Sequence, residues 1–209
     1  MTARPIAGLY AVTPDTEDTA RLIRLVEATL EGGARIVQYR NKIAAPALKL
    51  AQARALKAVC VEHDALFIVN DDVGVAREVD ADGVHVGRDD PALATARETL
   101  GREKVIGVSC YRSLALAREA QGAGADYVAF GSFFPSRVKP GAVRAPVELL
   151  TDAKRELSVP VVAIGGITAA NGGELVRAGA DALAVISALF DADDVTAAAA
   201  AFGPLFASR

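Results

Sequence analysis

Glycines and a hydroxyl group follow two apolar runs late in this 209-residue chain, where strands would end. Within residues 159–168, a short apolar run ends at Gly165 and Gly166. A second apolar run, over residues 182–186, is followed by Ser187. Glycine lets backbone N–H groups approach an anion closely, and a helix that starts near Thr168 adds its positive dipole end. A Gly-Gly pair alone is more often a plain turn. If the two apolar runs are the seventh and eighth strands of a barrel, however, their C-terminal ends would lie where such barrels commonly hold a phosphate.

A polar cluster follows an earlier apolar run, where Gln38, Arg40 and Lys42 alternate with other residues. If the strand extends as far as Lys42, alternation places these three side chains on one side of it. Two cations and an amide would then converge on one site. A solvated basic loop is the alternative interpretation.

Acidic residues follow the third and fourth apolar runs. Carboxylates at adjacent strand ends can share a hard divalent cation, and Mg²⁺ typically takes one or two carboxylates together with phosphate oxygens. We assign Asp71 and Asp90 to the metal, because Asp72 and Asp89 could equally cap the helices that follow them. As helix caps alone, these aspartates would need no metal.

The other strand ends add a histidine, a serine and a polar loop. His85 either packs within the fold or contacts substrate, and Ser109 ends the fifth run. The loop after Pro135 carries Ser136 and Lys139 and is long enough to fold over a ligand, although a flexible connection is the alternative. The candidates thus divide into a cationic, metal-assisted anion site and a neutral one, which suggests a diphosphate leaving group and a monophosphate acceptor.

Eight short apolar runs alternate with eight helical patterns along the chain. This alternation predicts a single-domain (β/α)8 TIM barrel over residues 1–209, with a doubly wound open sheet as the alternative. In such barrels the chemistry lies at the C-terminal strand ends, where the candidates fall. Gly-Ala-Asp recurs before strands at 124–126 and 179–181 and indicates a structural turn at the opposite end. The last predicted helix covers residues 195–206.

Composition narrows the class of protein. Apolar residues make up 52% of the chain and aromatic residues 5%, which indicates one compact domain with aliphatic packing. A formal net charge of −3 argues against a nucleic-acid partner. No apolar run approaches the roughly 20 residues that cross a bilayer, and no signal peptide is recognised, so we expect a cytoplasmic protein without membrane contact. Cys60 and Cys110 are expected to be reduced, structural thiols.

Eight motifs occur in order along the chain: Tyr-Ala-Val-Thr at 10–13, Gln-x-Arg-x-Lys at 38–42, Asn-Asp at 70–71, Gly-Val-His-Val-Gly at 83–87, Gly-Val-Ser at 107–109, Pro-Ser-x-x-Lys at 135–139, Gly-Gly-Ile at 165–167 and Val-Ile-Ser at 185–187. Taken together, these motifs resemble the thiamine phosphate synthase family. The resemblance implies a TIM barrel that joins hydroxymethylpyrimidine diphosphate to thiazole phosphate, giving thiamine phosphate and pyrophosphate. It also implies a dissociative reaction, in which pyrophosphate leaves first and the thiazole nitrogen captures a pyrimidine-methyl cation. No nucleophilic side chain is then required.

The resemblance also assigns roles to matching positions. Gln38 and His85 would lie near the pyrimidine, and Asp71 and Asp90 would bind Mg²⁺ as the cofactor. The diphosphate would be held by Arg40, Lys42, Asn70, Ser109 and Lys139. The thiazole phosphate would be held by Ser136, Gly166, Ile186 and Ser187.

One position departs from the family pattern. The loop often carries Thr-x-Thr-Lys, whereas this chain has Val138 at the second threonine. Loss of that hydroxyl would weaken thiazole phosphate binding about ten- to hundredfold unless a neighbour such as Arg137 compensates. Two other functions stay open: a thiazole tautomerase-like relative, which would not need the diphosphate cluster and metal pair, and a non-catalytic barrel that binds thiamine phosphates. The sequence also leaves open whether the chain forms a homo-oligomer.

Overall fold

The structure, a computed structural model, describes residues 4–87, 93–135, 141 and 143–207. Eight parallel strands form a closed barrel in chain order, and β8 pairs with β1. This closure confirms the predicted single-domain (β/α)8 barrel and excludes the open sheet. The strands are β1 (Gly8–Val12), β2 (Ile36–Tyr39), β3 (Leu66–Asn70), β4 (Gly83–Val86), β5 (Val105–Tyr111), β6 (Tyr127–Gly131), β7 (Val161–Ile164) and β8 (Ala182–Val185).

Helices follow the strands and cover the outside of the barrel. Within the described residues, no helix is both long and apolar enough to span a membrane. The helices are α1 (Thr19–Glu31), α2 (Pro46–Glu62), α3 (Val73–Glu78), α4 (Leu93–Leu100), α5 (Leu114–Gly122), α6 (Glu148–Glu156), α7 (Ala169–Ala178), α8 (Ser187–Phe190), α9 (Val195–Ala200) and α10 (Gly203–Phe206).

The end of the chain differs from the sequence prediction in two places. The expected helix over residues 195–206 is divided into α9 and α10, because Pro204 has no N–H to continue the helix and instead lies in the first turn of α10. The expected strand over 182–186 stops at Val185. Ile186 then caps the short helix α8, which the apolar pattern did not predict.

Two separate apolar cores result from alternation along the strands. In β1, Leu9 and Ala11 pack outward against the helices, whereas Tyr10 and Val12 belong to the cluster inside the barrel. The inner cluster contains both apolar residues and tyrosines. Its inward positions nearest the C-terminal strand ends are therefore where side chains can reach a ligand.

The N-terminal end of the barrel repeats one turn. After five helices, a residue with positive φ precedes a buried alanine whose N–H donates to the carbonyl five residues earlier. The residue with positive φ is glycine in three of these turns and aspartate in two. Glycine adopts positive φ without strain, and aspartate tolerates it better than most residues. The alanines are Ala34, Ala65, Ala81, Ala125 and Ala180.

Three of these turns end in an aspartate that joins neighbouring units. Asp82 Oδ2 accepts from the N–H of Phe67 at 2.8 Å and from Lys57 Nζ at 2.9 Å. Asp126 and Asp181 make the same pair of bonds, to Ile106 and Arg97 and to Val161 and Lys154 respectively. The predicted structural role of the Gly-Ala-Asp turns is confirmed. The third copy was missed because it begins with Asp80 rather than glycine.

Candidate active site

A cavity of about 830 Å³ lies at the C-terminal strand ends. Lys42 and Asp71 line an adjacent pocket, to which Asn70 also contributes. The predicted residues Asp90, Ser136 and Lys139 lie outside the described part of the chain. The predicted residues that line the main cavity are Gln38, Arg40, Asn70, His85, Ser109, Gly166, Ile186 and Ser187.

The turn after β2 is held by the loop after β1. Asp15 accepts from Arg40 Nη1 through both carboxylate oxygens, at 3.0 and 3.1 Å, and from the Lys42 N–H at 2.7 Å. Thr13 Oγ1 both accepts from the Arg40 N–H and donates to its carbonyl. Because β2 ends at Tyr39, strand alternation does not extend to Lys42, and its side chain lies in the neighbouring pocket. Asp15 was not among the site residues predicted from the sequence.

The two aspartates after β3 differ in their contacts. Asp72 caps α3, since its Oδ1 accepts from the Val75 N–H at 2.9 Å. Asp71 has a left-handed backbone with φ of 64°, and its N–H donates to the His85 carbonyl at 2.9 Å. Its carboxylate lies 3.8 Å from Lys42 Nζ. The cap thus accounts for Asp72, whereas the Asp71 carboxylate faces the pocket that holds a lysine.

A chain of hydrogen bonds crosses the floor of the cavity. Gln38 Nε2 donates to the Tyr10 hydroxyl at 2.8 Å, and Tyr10 and Tyr127 hydroxyls lie 2.8 Å apart. His85 Nδ1 lies 2.9 Å from the Tyr127 hydroxyl, and His85 Nε2 lies 2.8 Å from Ser109 Oγ. The chain therefore links three predicted site residues through two tyrosines.

The two tyrosines were not selected from the sequence. Burial raises the pKa of both Tyr10 and Tyr127, so each keeps its hydroxyl hydrogen at neutral pH. Space for Tyr127 comes from Gly107, where a Cβ atom would lie 2.0 Å from the tyrosine Cζ. The signal available in the sequence was the strand position of each tyrosine, but aromatic residues in strands are more often apolar core.

The glycine pair after β7 faces the same cavity. Gly165 and Gly166 have φ of 107° and 63°, and a Cβ at Gly166 would lie 2.3 Å from the Pro135 carbonyl oxygen. Both conformation and space thus require glycine. Among the described residues, the N–H groups of Gly166, Ile167 and Ser187 have no hydrogen-bond acceptor. Three backbone donors at the ends of β7 and β8 are thus available to an anion.

Helix α7 begins beside these donors. Thr168 and Asn171 form a reciprocal capping box, and Asn171 Nδ2 also donates to the Gly166 carbonyl at 3.1 Å. This second bond holds the glycine turn against the helix start. The helix start predicted near Thr168 is confirmed.

The cysteines take no part in this arrangement. Cys60 and Cys110 are both free and buried, and burial raises the pKa of each thiol to about 12. Cys110 Sγ faces the Val108 carbonyl, at 3.6 Å, and does not line the cavity. A thiolate nucleophile is therefore not available at neutral pH.

Known proteins are similar to this chain in sequence and in fold. Residues 9–189 match the family described as thiamine monophosphate synthase. The chain belongs to this family. The thiamine-phosphate synthase of Thiobacillus denitrificans is 57% identical over 97% of this chain and 96% of its own length. That of Chromobacterium violaceum is 56% identical over 98% of each chain.

A solved structure agrees with the sequence comparisons. The thiamine phosphate pyrophosphorylase from Pyrococcus furiosus superposes with a TM-score of 0.86 at 38% identity, over 95% of each chain. Membership of the thiamine monophosphate synthase family makes this protein a transferase of thiamine biosynthesis. The resemblance read from the strand-end motifs is confirmed.

Proposed function

We propose that the protein joins hydroxymethylpyrimidine diphosphate to thiazole phosphate in the cavity at the C-terminal strand ends, and releases pyrophosphate. The observation that carries this proposal is the division of the site by charge. Arg40 and Lys42 lie on one side with Asn70 and Asp71, and uncharged backbone donors lie on the other. A diphosphate fits the cationic side, and a monophosphate fits the backbone donors.

The residues of the cationic side stabilise the charge of the departing pyrophosphate. Arg40 presents a guanidinium whose side chain is 15% exposed, so its attraction to an anion is weakly screened by solvent. Lys42 adds a donor after the same strand, and Ser109 adds one from β5. Interactions that strengthen as negative charge accumulates on the leaving group lower the barrier without a nucleophilic side chain.

The chain contributes carboxylates that suit a magnesium ion. Asp71 would supply hard oxygen ligands beside Asn70, and Asp90 would be the second ligand, as the family resemblance implies. Within residues 4–87, 93–135, 141 and 143–207, no three His, Cys, Asp or Glu side chains form a metal cluster. Mg²⁺ typically takes few protein carboxylates and completes its shell with phosphate oxygens and water. When bound, the ion would neutralise diphosphate charge.

The rest of the cavity positions the two organic groups. Gln38 and His85 contact the pyrimidine in this proposal, and apolar side chains such as Val12 and Val162 line the same interior. Backbone N–H groups of Gly166 and Ser187 hold the thiazole phosphate beside Ile186. Holding both substrates in register makes capture of the pyrimidine-methyl cation effectively intramolecular. The two free cysteines support a reducing, cytoplasmic location.

A product assay tests this function directly. Purified protein receives both substrates with and without Mg²⁺, and thiamine phosphate and pyrophosphate are followed by mass spectrometry. We expect equal amounts of both products, only with the metal. Folded protein that binds thiazole phosphate but yields no product would instead support the tautomerase-like or non-catalytic function.

Adjacent aspartates provide a matched pair for the metal assignment. Asp71→Asn removes a proposed metal ligand, whereas Asp72→Asn keeps a good helix cap. We expect turnover of Asp71→Asn to fall by about a hundredfold or more, and Asp72→Asn to keep its turnover. Equal Mg²⁺-dependent activity in the two variants would remove Asp71 from the metal site.

A further inference from the structure

We propose that Tyr10 and Tyr127 are positioning residues that hold His85 in its Nε2–H tautomer and thereby direct the hydroxyl hydrogen of Ser109 into the cavity. For its ligand, the diphosphate, this inference rests on the proposed function. The tautomer itself follows from the geometry of the protein alone.

The donor and acceptor in each of these hydrogen bonds follow from the number of hydrogens that each group carries, beginning at Gln38. Its Nε2 can only donate, so Tyr10 accepts there and must give its own hydrogen elsewhere. In the described part of the chain, the Tyr127 oxygen is the acceptor available to it. Tyr127 in turn has one hydrogen, and its other partner is His85 Nδ1.

The same count decides the tautomer. His85 Nδ1 accepts from Tyr127, so in the neutral ring the hydrogen lies on Nε2. That N–H donates to Ser109 Oγ, which lies 2.8 Å away. The Ser109 hydrogen then has no acceptor among the described residues and is available to a ligand. In the reverse direction Tyr10 would accept from both Gln38 and Tyr127, and its own hydroxyl hydrogen would have no acceptor among the described residues.

Packing holds the hydrogen-bonded side chains in place. Tyr10 and Tyr127 are almost fully buried, and their rings meet edge to face with centroids 6.1 Å apart. The His85 ring stacks on Tyr127 with centroids 5.5 Å apart and an interplanar angle of 26°. Gly107 gives Tyr127 the room for this position. Neither tyrosine can rotate away from its partners without disturbing the interior of the barrel.

The consequence is a serine with a defined role as donor. A free hydroxyl can rotate between donating and accepting. Here the His85 N–H occupies an acceptor position on Ser109, which favours donation toward the cavity. Donation to an anionic oxygen makes the stronger, charge-assisted kind of hydrogen bond. The tyrosines would thus affect diphosphate binding without touching the diphosphate.

The tautomer can be measured without substrate. Long-range ¹H–¹⁵N NMR at about pH 8, above the ordinary histidine pKa, distinguishes Nε2–H from Nδ1–H in neutral imidazole. The chain has two histidines, so His63→Gln assigns the signals. We expect Nε2–H for His85 in the unmodified protein and a mixture of tautomers in Tyr127→Phe. Nδ1–H in the unmodified protein would overturn the inference.

A control variant tests whether any buried hydroxyl would have the same effect. Tyr39 is also buried, but its hydroxyl donates to Gln52 at 2.8 Å and does not belong to the hydrogen-bond chain that ends at Ser109. Tyr39→Phe should leave the His85 tautomer unchanged. If Tyr127→Phe does not fold, Tyr10→Phe tests the same link from the next position. An unchanged His85 tautomer in Tyr127→Phe, or in Tyr10→Phe where only that variant folds, would also overturn the inference.

Binding of pyrophosphate completes the test. We expect Ser109→Ala to weaken pyrophosphate binding about ten- to hundredfold and Tyr127→Phe about three- to tenfold, measured by calorimetry. Because Ser109 mediates the effect, Tyr127→Phe should cause no further loss in the Ser109→Ala background. A full additive loss would contradict the inference. Absence of product in the unmodified protein would refute the function but leave the tautomer result intact.

Discussion

The two ends of the barrel use similar residues in opposite ways. At the N-terminal end, Asp82, Asp126 and Asp181 each accept from a backbone N–H and a cation of a neighbouring unit. At the C-terminal end, the N–H groups of Gly166 and Ser187 have no acceptor in the described chain. Polar groups that are satisfied within the protein stabilise it, whereas groups kept available can bind a ligand.

Backbone strain shows the same contrast. Positive φ occurs at both ends, but at the N-terminal end it serves a repeated helix-ending turn. At the C-terminal end it occurs at Asp71, which faces a pocket, and at the glycine pair. Strain at a ligand site is retained when the surrounding contacts support it. We therefore expect substitutions at the C-terminal end to change function and substitutions at the N-terminal end to change stability.

The largest expected effect is at the glycine pair. Gly166→Ala places a methyl group against the Pro135 carbonyl and should raise the KM for thiazole phosphate about a hundredfold or more. Steady-state kinetics measure this change. Gly124→Ala is the matched control at the other end, because φ is also positive there but a Cβ would meet open space. It should lower only stability, by about 1 kcal/mol. Equal kinetics in the two variants would contradict the contrast.

The next effect is on stability alone. Asp82→Ala leaves Lys57 and the Phe67 N–H without their shared acceptor, in a pair whose side chains are 19% and 24% exposed. We expect the free energy of unfolding to fall by about 2–3 kcal/mol in urea titrations, with kcat/KM unchanged in the folded enzyme. Asp82→Asn keeps an acceptor and should lose about half as much. A lower kcat/KM in fully folded Asp82→Ala would show instead that the N-terminal end of the barrel also affects function.

A smaller effect is expected at the support for Arg40. Asp15→Asn weakens the paired contacts to the guanidinium, so the KM for the pyrimidine diphosphate should rise about three- to tenfold. Asp18→Asn, which keeps the cap of α1, is the control. A lower KM in Asp15→Asn would show instead that Asp15 competes with the substrate for Arg40.

The smallest effect concerns Asp80, an exposed member of the repeated turn. Its bond with Lys104 lowers the pKa of the carboxyl in the folded protein. A lowered folded pKa stabilises the protein above the unfolded value of about 3.9, and that contribution is lost as pH falls through the folded pKa. The small stability difference between the unmodified protein and Asp80→Asn should therefore be present at neutral pH and vanish in acid. A difference that grows in acid would reverse this assignment.

Much of this contrast could be predicted from short stretches of sequence. Eight alternating patterns identified the barrel, and the residues at strand ends included eight that line the main cavity, because strand ends and helix starts depend on neighbouring residues. The Asp82 turn was missed for a local reason, since Asp80 takes the left-handed conformation usually given to glycine. Asp15 was missed because its partners belong to another loop.

The sequence by itself determined the order of the eight strands and which residues follow them. Only the tertiary structure decided what those residues contact. The bond between Tyr10 and Tyr127 joins positions 117 residues apart, and it forms because closure of the barrel brings opposite strands around one interior. Spacing along the chain determines which side of a strand a side chain occupies, whereas its partner depends on the register and closure of the whole sheet.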